Sequence, residues 1–415
     1  MKAVILSVGT EILFGQITNT NTVFLSRELN HLGIDVMYHF TVGDNPVRVK
    51  EMIQRAFEEC DLVLTTGGLG PTQDDLTKEI ACETLHDELV LHEDILEWLK
   101  NEVAKRGRKM TENNIKQAYF PSRSVIFANP VGTAPGFALE ENGKIIACMP
   151  GPPREMTKMF KDHVKPFLQS LSDDVIFYRL VRTIGIGESQ LETDLLPLID
   201  NQSDPTLATY AKEGEVTLRI ASKRKTLEEA EKAVDEMLEK VKAVSGSYIY
   251  STDDEELADV VCKRLVENNI TISCAESCTG GLFAGRLVDY PGISSVFERG
   301  FVTYSDDAKE EMLGVGSQTL QKYSAVSEET AREMVLGLQK RTGSRICVAV
   351  TGIAGPEGGT EEKPVGLVYT AVSFDGKIEV RKNLFRNIGR NWIRGRSVLA
   401  MFHLVYDTLK NENLI

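Results

Sequence analysis

Between Ser273 and Met312 the chain places Glu276-Ser277-Cys278-Thr279-Gly280-Gly281, then Pro291-Gly292-Ile293-Ser294-Ser295, then Tyr304-Ser305-Asp306-Asp307-Ala308-Lys309, with no histidine among them. A serine hydroxyl is a weak nucleophile until a neighbouring base takes its proton, and a partly buried lysine is neutral enough to serve. The stretch therefore reads as a serine hydrolase in which Lys309 replaces imidazole as the base, with Ser294 and Ser295 following a Pro-Gly turn. His403, the next histidine along the chain, falls in an apolar helical stretch ending at Leu409, so no Ser-His-Asp triad is expected here.

Other polar loops surround this stretch in sequence. The run from Glu276 to Gly281 joins a predicted strand over 270–274 to a predicted helix over 282–288. Free N–H groups at that helix start, with the Ser277 and Thr279 hydroxyls and the turns at Gly280 and Gly281, form an anion site suited to phosphate. An ordinary capped turn is the other reading of the same glycines. Thr351-Gly352-Ile353-Ala354-Gly355-Pro356 follows a strongly apolar run, and its successive N–H groups suit an oxyanion or a ribose phosphate. Arg390 and Arg394, one helical turn apart, could pair with phosphate.

Near the amino terminus three more loops follow apolar runs: Val8-Gly9-Thr10-Glu11, Val42-Gly43-Asp44, and the stretch through Gly67, Gly68 and Gly70 to Asp74 and Asp75. Glycines make room for a phosphate-bearing ligand, and carboxylates beside them suit a hard divalent cation. The Walker lysine is missing, which disfavours an ordinary nucleoside triphosphatase. Helix capping is the competing role for Asp74 and Asp75. A fourth string, Pro150-Gly151-Pro152-Pro153-Arg154-Glu155-Met156, ends a strand and starts a helix.

The elements that must position these loops form three zones. Over 1–171, apolar strands at 3–8, 35–42 and 62–66 alternate with amphipathic helices at 21–32 and 47–59, the pattern of right-handed βαβ units and a parallel sheet. Over 172–251, strand-like runs at 177–184, 206–211 and 216–221 accompany helices at 188–199 and from Leu227, a small α+β module. Over 252–415, strands at 270–274, 300–304, 345–350 and 365–374 are separated by helices such as 328–341, a second α/β domain.

Composition narrows the function classes. The 61 acidic against 47 basic residues give a formal charge of −14, which repels phosphate backbones and anionic membrane surfaces. Residues 171–250 hold 10 Lys and Arg against 15 Asp and Glu, a balance of −5 that argues against RNA binding by the middle module. Neither nucleic acid nor a membrane is an expected partner. Seven cysteines without C-x-x-C spacing, and no apolar run of the length a bilayer needs, suit a reducing cytoplasm.

The strings A-E-S-C-T-G-G, Y-S-D-D-A-K, A-V-S-E-E-T-A, T-G-I-A-G-P and K-P-V-G resemble the nicotinamide-nucleotide amidase domain of the CinA (competence/damage-inducible protein A) family. The resemblance implies hydrolysis of the carboxamide of nicotinamide mononucleotide to nicotinate mononucleotide and ammonia, with no cofactor. Ser294 would be the nucleophile, Lys309 its base, and Ser277, Tyr304, Thr351 and Arg390 (or Arg394) the supporting groups. The G-T-E-I-L-x-G opening and P-G-P-P-x-E-M ending of the first zone resemble the molybdopterin-binding-like three-layer fold of the same family. That likeness implies hydrolysis of ADP-ribose to AMP and ribose 5-phosphate with Mg, Mn or Co, drawing on Gly9, Glu11, Asp44, Gly67, Gly68, Asp74 and Asp75. The middle module, with Ile184-Gly185-Ile186-Gly187-Glu188-Ser189, is similar to the family's KH-like domain, and the resemblance implies a homodimer. A molybdopterin-related binding protein and a non-catalytic, DNA-associated competence protein are the rival expectations.

Overall fold

A computed structural model describes residues 1–105, 107, 110–171 and 174–415. Its internal contacts divide the chain into Met1–Ile176 with Lys223–Ala230, and Phe177–Ser222 with Glu231–Ile415. The expected boundary between 171 and 172 falls beside residues 172 and 173, which lie outside those described.

In the first unit the described residues form a six-stranded sheet, in the order Asp35–Val42, Lys2–Val8, Leu62–Thr66, Lys144–Met149, Gly136–Glu141 and Val125–Phe127. The first four strands run parallel, Gly136–Glu141 pairs antiparallel with the fourth, and Val125–Phe127 pairs antiparallel with Gly136–Glu141. Both faces are covered. Val4 and Leu6 pack in one cluster with Val49 and Ile53 of helix Pro46–Glu59, while Ala3 and Ile5 join Leu25 and Leu29 of helix Thr20–His31 on the other face. Burial on both faces is why these strands are continuous apolar runs rather than alternating ones. The helices begin where local chemistry starts them: Asn19 and Asn45 each accept a first-turn N–H, from Thr22 and Arg48, and Pro46 occupies the first turn where its missing donor is harmless. Parallel strands so connected bring their carboxyl ends, at Val8, Val42, Thr66 and Met149, to one edge of the sheet.

The middle module has a four-stranded sheet ordered Thr206–Lys212, Glu215–Arg224, Val175–Ile184 and Ile249–Ser251. Leu191 and Leu195 of helix Glu188–Ile199, with Val234, Leu238 and Val241 of helix Leu227–Ser245, close its core with Val181, Leu207 and Leu218.

The third domain is a five-stranded sheet ordered Phe297–Val302, Ile272–Glu276, Ile346–Gly352, Leu367–Phe374 and Lys377–Leu384. The first three strands are parallel, the last two antiparallel. Strand Lys377–Leu384 was not anticipated. Four of its eight residues are Lys, Glu or Arg, as suits an edge strand that must discourage pairing with another chain. Helices Leu257–Glu267 and Arg390–Asn411 share one core with the sheet, and helix Glu328–Thr342 contributes Ala331, Met334 and Leu338 to a second. All seven cysteines are buried free thiols, and among the described residues no helix is long and apolar enough to cross a membrane.

Candidate functional sites

Three adjacent parallel strands of the third domain end together. Glu276 stands opposite Val302 on one side and Val350 on the other, the Ser277 N–H donates to the Val350 carbonyl, and the Thr303 N–H to that of Glu276. The residues at or just beyond these ends, Ser277, Tyr304 and Thr351, therefore face a common cleft of about 250 Å³. Lys309 and Arg390 line the same cleft, as do Cys278, the 352–355 loop and Glu357.

Lys309 lies on helix Asp306–Leu313, whose start is capped by the Ser305 hydroxyl. Its side chain is 1% exposed, and its Nζ donates to the carbonyls of Thr303, Tyr304 and Ser305 at 3.1, 3.3 and 3.3 Å. Burial draws its pKa below the ordinary lysine value, with Asp306, 3.8 Å away, pulling the other way. Arg390 opens its helix and donates to the Tyr304 hydroxyl at 2.8 Å and the Gly355 carbonyl at 2.6 Å, so it bridges two walls of the cleft. Arg394, a turn later, donates instead to the Thr279 carbonyl and is outside the lining. Of the two arginines, Arg390 is the one that lines the cleft. Thr351 spends its hydroxyl proton on the Ala325 carbonyl. Burial pushes the Cys278 thiol up to about 11, which keeps it a thiol near neutrality.

Two expectations change. Ser294 is exposed in the turn Ile293–Ser295, ahead of strand Phe297–Val302, whereas Lys309 follows that strand's far end. Five residue steps of strand put roughly 17 Å between those ends. Ser294 is not among the residues lining the cleft, and the serine that shares it with Lys309 is Ser277. The anion cradle at the start of helix Leu282–Val288 is also already filled. The buried Glu276 carboxylate accepts the N–H groups of Gly281, Phe283 and Ala284 at 3.0, 3.1 and 2.8 Å. Thr279, Gly280 and Gly281 do not line the cleft, and Thr279 is fully buried. Glu276 was overlooked as a functional position. Its signal was a carboxylate just before a glycine turn and a helix, the position that complements a helix's positive end.

The first unit has its own cleft, about 380 Å³, at the carboxyl ends of its parallel strands. Gly9, Glu11, Asp44, Gly67, Gly68, Asp74 and Asp75 all line it, joined by Glu155 of the Pro150–Met156 string and by Gln117, which sequence reasoning did not single out. Gly67 has φ 104°, and a Cβ there would stand 2.1 Å from the Val8 carbonyl oxygen, so only glycine lets these two loops approach. The carboxylates are individually engaged. Asp44 accepts the Thr10 N–H and hydroxyl, Asp75 accepts those of Thr72, and Glu155 accepts the Asn129 amide. Asp75 thus closes its own turn and does not cap helix Thr77–Thr84, whose cap position is Leu76. Asp44 and Asp75 line the same cleft, and among the described residues no three His, Cys, Asp or Glu side chains form a group able to hold a metal. The donors present do not fit a metal centre built by the chain alone.

Residues 4–170 match the family described as Probable molybdopterin binding domain, 178–251 the Damage-inducible protein CinA KH domain, and 254–409 the CinA C-terminal domain. Across 406 residues, 98% of each chain, the sequence is 52% identical to a protein of Acetivibrio thermocellus named as competence-damage inducible. The chain belongs to the CinA family. A second CinA-family relative, from Clostridioides difficile and similarly named, is 50% identical over 404 residues, 96% of each chain. Among solved structures, the competence/damage inducible protein CihA from Agrobacterium tumefaciens is 42% identical, covering 36% of this chain and 94% of that one, with a TM-score of 0.35.

Proposed function

We propose that the cleft of the third domain hydrolyses the carboxamide of nicotinamide mononucleotide, with Ser277 as nucleophile and Lys309 as its base. The observation that supports this reading is one cleft lined by a serine, a buried lysine and an arginine at the ends of three parallel strands. Ser277 Oγ bonds to the carboxamide carbon as its proton passes to the Lys309 amine. The C–N bond then breaks, and the proton leaves with ammonia. Water attacks the resulting ester, releasing nicotinate mononucleotide and restoring the hydroxyl. Once neutral, Lys309 keeps two N–H donors for its carbonyl cage and frees a lone pair for the serine. Arg390 suits the substrate's phosphate, and the 352–355 loop offers N–H groups to the developing oxyanion. Ammonia release should fall by roughly 10³-fold or more in Ser277→Ala. Ser294→Ala should stay within a few-fold of the parent; the reverse ranking of the two variants would overturn the assignment.

The first unit, by the same family resemblance, is read as an ADP-ribose pyrophosphatase. A glycine-walled cleft at the switch end of a parallel sheet, larger than that of the third domain, supports a phosphate-bearing ligand there. Water would cleave the diphosphate to AMP and ribose 5-phosphate, and no step is assigned to a metal. Production of AMP from ADP-ribose by the full chain, absent in Gly67→Val, is the expected result; a chain that leaves ADP-ribose intact defeats this reading.

A further inference from the structure

Gln117 sits in the 3-10 turn Lys116–Ala118, is 2% exposed, and lines the cleft of the first unit. Neither its Oε1 nor its Nε2 has a hydrogen-bond partner, and among the described residues it is the one buried amide side chain of which this is true. Leaving a buried donor and acceptor unmade is costly, and native interiors rarely tolerate it without a purpose. The neighbouring amide Asn129 shows the ordinary alternative: its nitrogen donates to the Ala134 carbonyl and to Glu155, and its oxygen accepts the Gly132 N–H. The backbone that carries Gln117 is held firmly. The Lys116 amine donates to the Asp75 carbonyl and pairs with Glu79 at 3.3 Å, while the Lys116 carbonyl accepts the buried Lys78 amine at 2.7 Å. A rigidly mounted amide with both ends free is a complementary reader for a planar edge that has a donor beside an acceptor.

We infer that Gln117 is the base-reading residue of the first unit's cleft, its oxygen accepting from and its nitrogen donating to the paired edge of an adenine ring. A glutamine amide matches the amino and ring-nitrogen pair of adenine in two-bond fashion. The choice of adenine rests on the ADP-ribose reading of that cleft; the glycine loops at Gly67 and Gly68 would then lie along the phosphates. No sequence motif around Gln117 announces this role, and only the fold brings it into one cleft with those loops.

Affinities of the full chain for AMP and for ribose 5-phosphate, measured by isothermal titration, test the inference. Gln117→Leu should weaken AMP by roughly tenfold or more and leave ribose 5-phosphate within about twofold, because a two-bond base contact carries discrimination of that order. Gln117→Glu, which keeps the acceptor and loses the donor, should fall between the two. A merely structural amide would weaken both ligands together or neither, and either outcome overturns the inference, as does a wild-type chain that prefers a pterin to AMP. Thermal melts identify a variant that failed to fold, and Gln117→Glu then supplies the comparison. The two readings fail separately. AMP binding that depends on Gln117 in a chain that does not cleave ADP-ribose keeps the inference and sinks the pyrophosphatase reading. Cleavage with AMP affinity indifferent to Gln117 does the opposite.

Discussion

Lys309 carries the sharpest consequence at the scale of a single residue. Burial destabilises its charged form, so its pKa lies below the ordinary lysine value, and a base must be neutral to accept the serine proton. kcat/KM for ammonia release should therefore rise with pH along a single ionisation and level off once that amine is neutral. Lys309→Ala should lose most of the rate together with this rising limb; a limb that persists in the variant assigns the ionisation elsewhere. Lys309 was legible in the sequence because a lysine stood in for a missing histidine. Ser294 falls outside that lysine's cleft because spacing along the chain does not say at which end of a strand a residue will sit. Ser294 and Ser277 lie 15 and 32 positions before Lys309. The intervening strand carries the nearer serine to the other end of the sheet and leaves the farther one in the lysine's cleft. Gln117 was illegible for another reason: an orphaned amide is defined by what surrounds it in space.

At the scale of elements, the alternation of apolar runs and helical periods was readable, because strands buried on both faces leave an unmistakable signature. The glycine turn after strand Ile272–Glu276 was readable as a helix start but not as one sealed by its own carboxylate. Glu276 fixes helix Leu282–Val288 to the end of the strand that delivers Ser277, so the site's geometry depends on this cap. Glu276→Ala leaves three N–H groups without their acceptor and should cost roughly 2–4 kcal/mol in urea unfolding; a loss below 0.5 kcal/mol would show that the cap is dispensable. A second element, helix Thr77–Thr84, is tied to the turn Lys116–Ala118 by Lys78, whose pKa burial lowers from 10.5 to about 8. Above pH 8 the folded chain releases this proton while the unfolded chain keeps it to about 10.5, so the unfolded state binds more protons and stability rises with pH across that window. The gain is roughly 3 kcal/mol at most. Comparing urea midpoints at pH 7.5 and 9.5, Lys78→Met should remove this rising component; an unchanged slope would show that Lys78 titrates normally.

At the scale of the whole molecule, each cleft is assembled entirely from residues of one unit. The lining of the first comes from Val8 to Glu155, and that of the second from Ser277 to Arg390. Neither cleft borrows a group from the other unit, so the two proposed chemistries need share no atom. Ser277→Ala should leave ADP-ribose cleavage within about twofold of the parent chain, and Gly67→Val should do the same for deamidation. Coupling of more than about tenfold in either direction would mean that the units communicate through something beyond the residues of their clefts, since that factor is 1.4 kcal/mol of interaction between sites. The chain's charge of −14 adds a requirement on both substrates. Each is an anion approaching an anionic protein, so arrival relies on the local positive character that Arg390 and the oriented N–H groups supply, and not on the long-range field. Raising salt from 50 to 300 mM should therefore leave kcat/KM for nicotinamide mononucleotide level or raise it slightly, because screening relieves the general repulsion at long range while the contacts inside the cleft are screened far less. A fall of tenfold over that range would instead require attraction by an extended basic surface, which the excess of 61 acidic over 47 basic residues argues against.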